Sequence, residues 1–219
     1  MDETRGKTRL RMVIGVAAIA GIAAGLAAVY VSGALDGNGG DQASADCAPA
    51  VKAAGLLAPL AKGDVAAFQV ATEPVSLHGL SFQKADGSKA TIGDFAGKTV
   101  LLNLWATWCA PCRKEMPALD RLEASKPGDD FSVVAVSIDT QDPAKPKQFL
   151  DEIGVKALDF YGDPTTGIFS GLKSRAMAVG LPTTVLIDRK GCALGVMSGP
   201  AEWDSEDAKA LIAAARTSV

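Results

Sequence analysis

The sequence predicts an α/β fold with a mixed central sheet flanked by helices, and three observations carry that reading. The first is a strand–helix–strand series. The near-continuous apolar run Thr99-Val-Leu-Leu-Asn-Leu-Trp105 leads to a helical stretch over 110–124 and a second apolar run over 131–138. The second is a late hairpin signal, with strand-like runs Thr183–Ile187 and Ala193–Met197 bracketing the turn Asp188-Arg-Lys-Gly191. The third is the amphipathic closing segment Ser205–Arg216. At 219 residues the chain is long enough to bury a core without a dense disulfide framework. Its 22 Lys and Arg against 25 Asp and Glu argue against a nucleic-acid binder, which carries a basic excess. With 48% hydrophobic residues wholesale disorder is excluded, and one histidine excludes a two-Cys, two-His zinc site.

Taken in order, residues 1–11 hold Arg5, Lys7, Arg9 and Arg11, and Met12 to Val31 is an uncharged apolar segment. As a helix it reaches about 30 Å, enough to cross a bilayer, and the preceding cations set the N-terminus in the cytoplasm. The rival reading is a cleaved signal peptide, with the small residues Ser32-Gly33-Ala34 as its exit. Residues 32–46 are small, polar and glycine-rich and read as a flexible linker. The domain proper is expected over 47–219, with its core over about 75–217. Cys47 to about Lys62 reads as a short helix with Val51, Ala54, Leu57 and Ala58 at helical spacing. Residues 65–98 read as loop and short strands, with a hairpin turning at Asp86-Gly87. Beyond the second buried strand, 145–153 predicts a helix, 158–161 a short strand and 165–172 another helix.

The motif that carries chemistry is Trp105-Ala-Thr-Trp108-Cys109-Ala-Pro-Cys112-Arg-Lys-Glu115-Met-Pro117, directly after a buried strand and opening a helix. Two cysteines at this spacing close and reopen a small disulfide with little backbone motion. The leading thiol, Cys109, lies at the positive end of the helix dipole, which favours its thiolate. Cys112, one turn in, is placed to resolve the mixed disulfide that Cys109 forms with a partner. Half of a zinc site is the bland alternative. It would have to recruit Cys47 and Cys192, which are single and unpaired by spacing.

On these residues, together with Lys114-Glu115-x-Pro117 and Gly180-Leu-Pro182-Thr-Thr, the stretch from about Val75 to Thr217 resembles the thioredoxin superfamily. Within it the likeness is to the membrane-anchored TlpA/ResA-like thiol–disulfide oxidoreductases of bacterial cytochrome biogenesis, and the anchor, the N-terminal helix, Cys47 and Cys192 suit its TlpA-like branch. The resemblance implies a thioredoxin-like fold with an N-terminal hairpin and helical extension behind one transmembrane helix. It implies catalytic roles for Cys109, Cys112, Glu115 and Pro182, with Pro182 matching the family's cis-proline. A partner strand would dock beside Pro182, on a surface formed by Trp108, Ala110, Pro111, Leu181 and Pro182. Glu115 would accept or donate protons for Cys112, whose helix face it shares; a carboxylate complementing the helix dipole is the plainer reading. Asn103 stands where thioredoxins proper carry a buried acid, which leaves Glu115 as the better proton-transfer candidate. Trp105 and Phe131 are expected in the core.

The dipeptide Ala110-Pro111 adds no cation to stabilise a reduced thiolate. That favours a potential nearer roughly −270 mV than −120 mV, and hence a reductase. No cofactor or metal is implied. The expected partners are oxidised protein thiols: a Sco-like copper chaperone, the copper-site subunit of cytochrome oxidase, or apocytochrome c. A membrane-embedded thiol donor would supply electrons, and the expected location is the bacterial inner membrane with the catalytic domain in the periplasm. With Cys109 and Cys112 taken as the exchange pair, Cys47 is left to Cys192. Such a bridge reads as structural, with a second redox centre as the alternative. His78 reads as a surface or satisfied polar group, and Glu202, Asp204, Glu206 and Asp207 as acids at the start of the last helix. A disulfide oxidase or isomerase of the same fold is the alternative activity. A Sco-like copper chaperone fits less well, because that group uses Cys-x-x-x-Cys and a distant histidine, whereas His78 precedes a shorter motif here.

Overall fold

In the computed structural model the described residues are 47–125, 129–142 and 144–217. The expected cytoplasmic segment 1–11, the membrane segment 12–31 and the linker 32–46 lie outside them. Among the described residues no helix is long and apolar enough to cross a membrane.

The chain enters through helix α1 (Ala50–Leu57) and two single 3₁₀ turns, then forms an edge strand β1 (Gln69–Val70). A hairpin of β2 (Ser81–Lys84) and β3 (Lys89–Thr91) follows, its turn closed at Gly87 with φ +82°. Next come β4 (Thr99–Trp105), α2 (Ala110–Ala124), β5 (Phe131–Ser137) and α3 (Lys145–Glu152). The rest is β6 (Tyr161–Gly162), α4 (Gly167–Ser174), the hairpin β7 (Thr183–Ile187) and β8 (Ala193–Ser198), and α5 (Glu206–Thr217). Among the described residues all eight strands form one sheet, in the order β1-β8-β7-β4-β5-β6-β2-β3. β4 pairs parallel with β5 and antiparallel with β7, so the sheet is mixed as expected.

All seven residues of β4 are buried, which explains why the run is apolar almost throughout rather than alternating. Its one amide, Asn103, sits opposite Ala135 on β5 and Thr184 on β7. Directly paired residues project to one face of a sheet, so Asn103 and Thr184 are side by side. Trp105, Trp203 and Phe131 are the bulkiest fully buried side chains. At the β8 edge, a side chain on Gly195 would meet the ring of Phe68 and come within 2.6 Å of the Gln69 carbonyl oxygen. Glycine there lets β1 close onto the sheet.

Three expectations shift. The buried stripe of α1 is Ala50, Ala53, Ala54 and Leu57, while Val51 is 48% exposed. The small stripe lets α1 approach β8 and α5 closely. The short strand expected over 158–161 forms instead at Tyr161–Gly162, because the backbone N–H groups of Lys156, Ala157 and Leu158 all donate to Oδ1 of Asp120. The helix expected from 165 starts at Gly167, because Asp163 takes the N–H groups of Thr165 and Ile168 and makes the intervening residues a turn.

Candidate functional site

The site lies where β4 ends and α2 begins. The Trp105 carbonyl accepts the N–H of Ile138, and the chain turns through Ala106-Thr107-Trp108. Asp139, just past the end of β5, holds that turn: one oxygen accepts the Thr107 N–H at 2.9 Å, the other the Thr107 hydroxyl at 2.6 Å. Ser137 donates its hydroxyl to the same carboxylate at 2.8 Å.

Cys109 is the N-cap of α2. Its backbone is extended (φ −88°, ψ 100°), and its sulfur accepts the N–H of Cys112 at 3.3 Å. Pro111 sits in the first turn, where the missing N–H has no helical partner to lose. Cys109 and Cys112 are joined in a disulfide with Cα atoms 5.3 Å apart. Cys109 is 6% exposed and Cys112 fully buried, so a partner meets Cys109 first. On reduction, the cap geometry directs the amides of the first turn at the Cys109 thiolate.

The register places the second half of the site. Thr183 is paired with Leu104, so Pro182 lies beside the end of β4 that feeds Cys109. The Leu181–Pro182 peptide is cis, and the Pro182 carbonyl accepts the N–H of Gly199 at 2.9 Å. Apolar side chains around both points reach the surface. Trp108 is 67% and Val179 82% exposed, Ala110 and Pro111 are exposed, and Leu181 is half-buried.

Glu115 follows Cys112 by one turn on α2 and is only 2% exposed. Its Oε1 accepts from Asn103 Nδ2 at 2.8 Å; its Oε2 accepts from the Ala201 N–H at 3.2 Å and from Trp203 Nε1 at 3.3 Å. Burial pushes its pKa up to about 7, outweighing those three donors, and the nearby Glu202 charge adds to the rise. A carboxyl at that value can both take and give a proton near neutrality. A cleft of about 300 Å³, lined by Asp64, Lys114, Pro200, Ala201 and Glu202, reaches Glu115 from the surface.

The fold therefore brings Cys109, Cys112, Glu115, Trp108, Ala110, Pro111, Leu181 and Pro182 to one end of the β4–β7 pair. It sets Cys47 and Cys192 apart from that group, joined to each other between the N-terminal extension and the β7–β8 turn. His78 is exposed and bonded through Nε2 to the Lys190 carbonyl. Trp105 and Phe131 are both fully buried in the core, as expected. The sequence reading did not find Trp203, the Ala201 amide, Thr184 or Asp139. One signal was available: a lone amide in an apolar strand, Asn103, needs buried partners. Among the described residues no three His, Cys, Asp or Glu side chains group to hold a metal ion.

Comparison with known proteins gives a consistent result. The Redoxin family model matches residues 46–212. The chain is 37% identical over 114 residues to the thioredoxin-like protein YneN of Bacillus subtilis, covering 51% of this chain. It is 34% identical over 119 residues to the thiol-disulfide oxidoreductase ResA of Bacillus thuringiensis, covering 52%. It spans 62% of the length of each of these relatives. A Chlorobium tepidum structure assigned as the thiol:disulfide interchange protein DsbE superposes with a TM-score of 0.54 at 29% identity, over 64% of this chain and 95% of that one. A DsbF homologue from Corynebacterium diphtheriae, at 22% identity and a TM-score of 0.51 over 67% of this chain and 88% of that one, shows the shared fold.

Proposed function

Because the chain belongs to the Redoxin family, within its thioredoxin-like, ResA-like group, we propose that it is a thiol–disulfide oxidoreductase that reduces disulfides in partner proteins. The observation that carries this reading is the asymmetric pair: Cys109 at the rim as the helix N-cap, and Cys112 buried one turn behind it, with Glu115 buried a turn further along the same helix.

The cycle follows from that placement. The Cys109 thiolate attacks one sulfur of the partner's disulfide; the partner S–S bond breaks, and its second sulfur leaves as a thiolate that takes up a proton. Cys112 then loses its proton to Glu115 and attacks the Cys109 sulfur. The mixed disulfide breaks, the partner's remaining sulfur leaves as a thiolate that takes the proton from Glu115, the partner departs as a dithiol, and Cys109–Cys112 is left oxidised. Two electrons from a dithiol donor, with one of its protons, restore the Cys109 thiolate and the Cys112 thiol; its other proton goes to solvent, which supplied one to the partner. Extended partner chain docks along Leu181 and Pro182, and Trp108, Ala110, Pro111 and Val179 supply an apolar surface around Cys109.

The finer reading is that residues 12–31 anchor the chain in the bacterial inner membrane and hold residues 47–219 in the periplasm. The substrates are then cysteines of cytochrome oxidase or cytochrome c assembly: a Sco-like copper chaperone, the copper-site subunit, or apocytochrome c. A membrane-embedded thiol donor supplies the electrons. The uncharged segment with its preceding cations and the uncharged Ala110-Pro111 pair support this.

The test is to equilibrate the full chain with glutathione buffers and to trap partners with Cys112→Ser. A potential well below that of the glutathione pool is expected. So are covalent adducts that vanish when Cys109 is also replaced. A potential well above the pool would overturn the reductase assignment.

A further inference from the structure

Glu115 has two unlike oxygens. Oε2 already accepts two N–H bonds, from Ala201 and Trp203. Oε1 accepts one, from Asn103, and is therefore the oxygen with room for a proton. The arrangement suits the carboxylate, since Asn103 Nδ2 points one hydrogen at Oε1 and the other at Thr184 Oγ1, 2.9 Å away. It gives the acid no acceptor at Asn103: an O–H on Oε1 turned toward that side chain would meet an N–H, two donors at hydrogen-bond distance. Meanwhile Asn103 Oδ1 is fully buried and has no partner at all. Turning the amide end for end relieves the donor–donor contact and gives Oδ1 partners. Oδ1 would then accept from the Glu115 O–H, and the Thr184 hydroxyl would reverse from acceptor to donor toward the same oxygen. Nδ2 would take the place where Oδ1 now lies unpartnered, so the turn moves one unsatisfied group rather than creating another.

We propose that Asn103 is a positioning residue that reverses its side-chain amide with the protonation state of Glu115, donating to the carboxylate and accepting from the acid. The inference rests on Glu115 as the proton acceptor for Cys112. When the Cys112 S–H bond breaks and the O–H bond forms on Oε1, the amide turn stabilises the proton there; turning back readies it to leave. The amide connects this event to β7, because Thr184 lies two residues past Pro182 on the strand where a partner would dock. The other groups facing Glu115 are Cys112 on its own helix, and Lys114, Asp64 and Glu202 around the cleft. Of the three groups that hydrogen-bond Glu115, the Ala201 N–H and Trp203 Nε1–H can only donate, whereas the Asn103 amide carries both a donor and an acceptor.

The test is nuclear magnetic resonance of the full chain in detergent, with labelled Glu carboxyl carbons and Asn side-chain amides. The Asn103 amide signals should move with the same midpoint as the Glu115 carboxyl, and should lose that movement in Glu115→Gln. In Asn103→Leu, both states of Glu115 lose a partner. Its proton affinity should then change by less than about threefold, while thiol–disulfide exchange slows. If Asn103 only ever donates, removing it should raise that affinity by about tenfold or more, which would overturn the proposal. Amide signals that stay flat across the titration, in a chain whose Glu115→Gln variant is impaired in exchange, would overturn the amide reversal alone. Undiminished exchange by Glu115→Gln would overturn the role of Glu115, and the functional part of the proposal with it.

Discussion

At the scale of single residues, Glu115 couples chemistry to stability through its proton. Its folded pKa of about 7 lies above the ordinary 4.5, so the native state holds this proton more tightly than the unfolded chain does. Below about pH 4.5 both states are protonated and burial carries no ionisation cost. Between pH 4.5 and 7 the unfolded chain ionises first, so stability falls as pH rises, and it levels off above 7. The loss is on the order of 3 kcal/mol. Chemical denaturation at several pH values should show this decline, and Glu115→Gln should remove it. A wild-type chain as stable at pH 7.5 as at pH 4.5, with no such difference from the variant, would contradict the buried-acid account. The cysteines and Glu115 were legible in the sequence because their spacing on one helix is fixed by local geometry. The donors that hold Glu115 come from β4 and from residues 201–203, which tertiary folding alone brings together.

At the scale of elements, the redox pair is only as well placed as the turn that delivers it. Asp139 ties that turn to the end of β5 through Thr107, which is 6% exposed, so the groups it satisfies are largely cut off from water. Asp139→Ala leaves the Thr107 N–H and hydroxyl without their acceptor, at a cost of about 1–3 kcal/mol. The expected outcome is a lower midpoint in thermal unfolding together with slower alkylation of reduced Cys109. Asp139→Asn, which keeps an acceptor, should lie between. A variant that unfolds and alkylates like wild type would show that the turn holds itself. β4, α2 and β7 were legible almost residue for residue, since an apolar run or a long amphipathic helix declares its own limits. The short pieces were not. β6 and the start of α4 are set by Asp120 and Asp163, whose carboxylates take backbone amides from other segments or turns and so decide where regular structure can begin. β1 has two residues and exists because β8 offers it an edge.

At the scale of the whole molecule, two disulfides divide the work. Cys109–Cys112 closes a tiny loop at the rim, whereas Cys47–Cys192 joins residues 145 apart, both ends buried. Closing a loop that long removes much of the freedom of the unfolded chain, so Cys47→Ser with Cys192→Ser should lose about 3–5 kcal/mol. Exchange through Cys109 should persist at a temperature where the variant remains folded. Loss of exchange under those conditions would give the second bridge a redox part in the cycle. The long bridge also decides how the domain bears a load. A pull applied on the N-terminal side of Cys47 and at the end of the chain passes straight across the sulfur–sulfur bond to the β7–β8 turn. Every strand from β1 to β7 lies inside the covalent loop and cannot be drawn out, so among the described residues only those after Cys192 can lengthen. A reductant that cuts this one bond would release the entire enclosed length, converting a short, stiff extension into a long one.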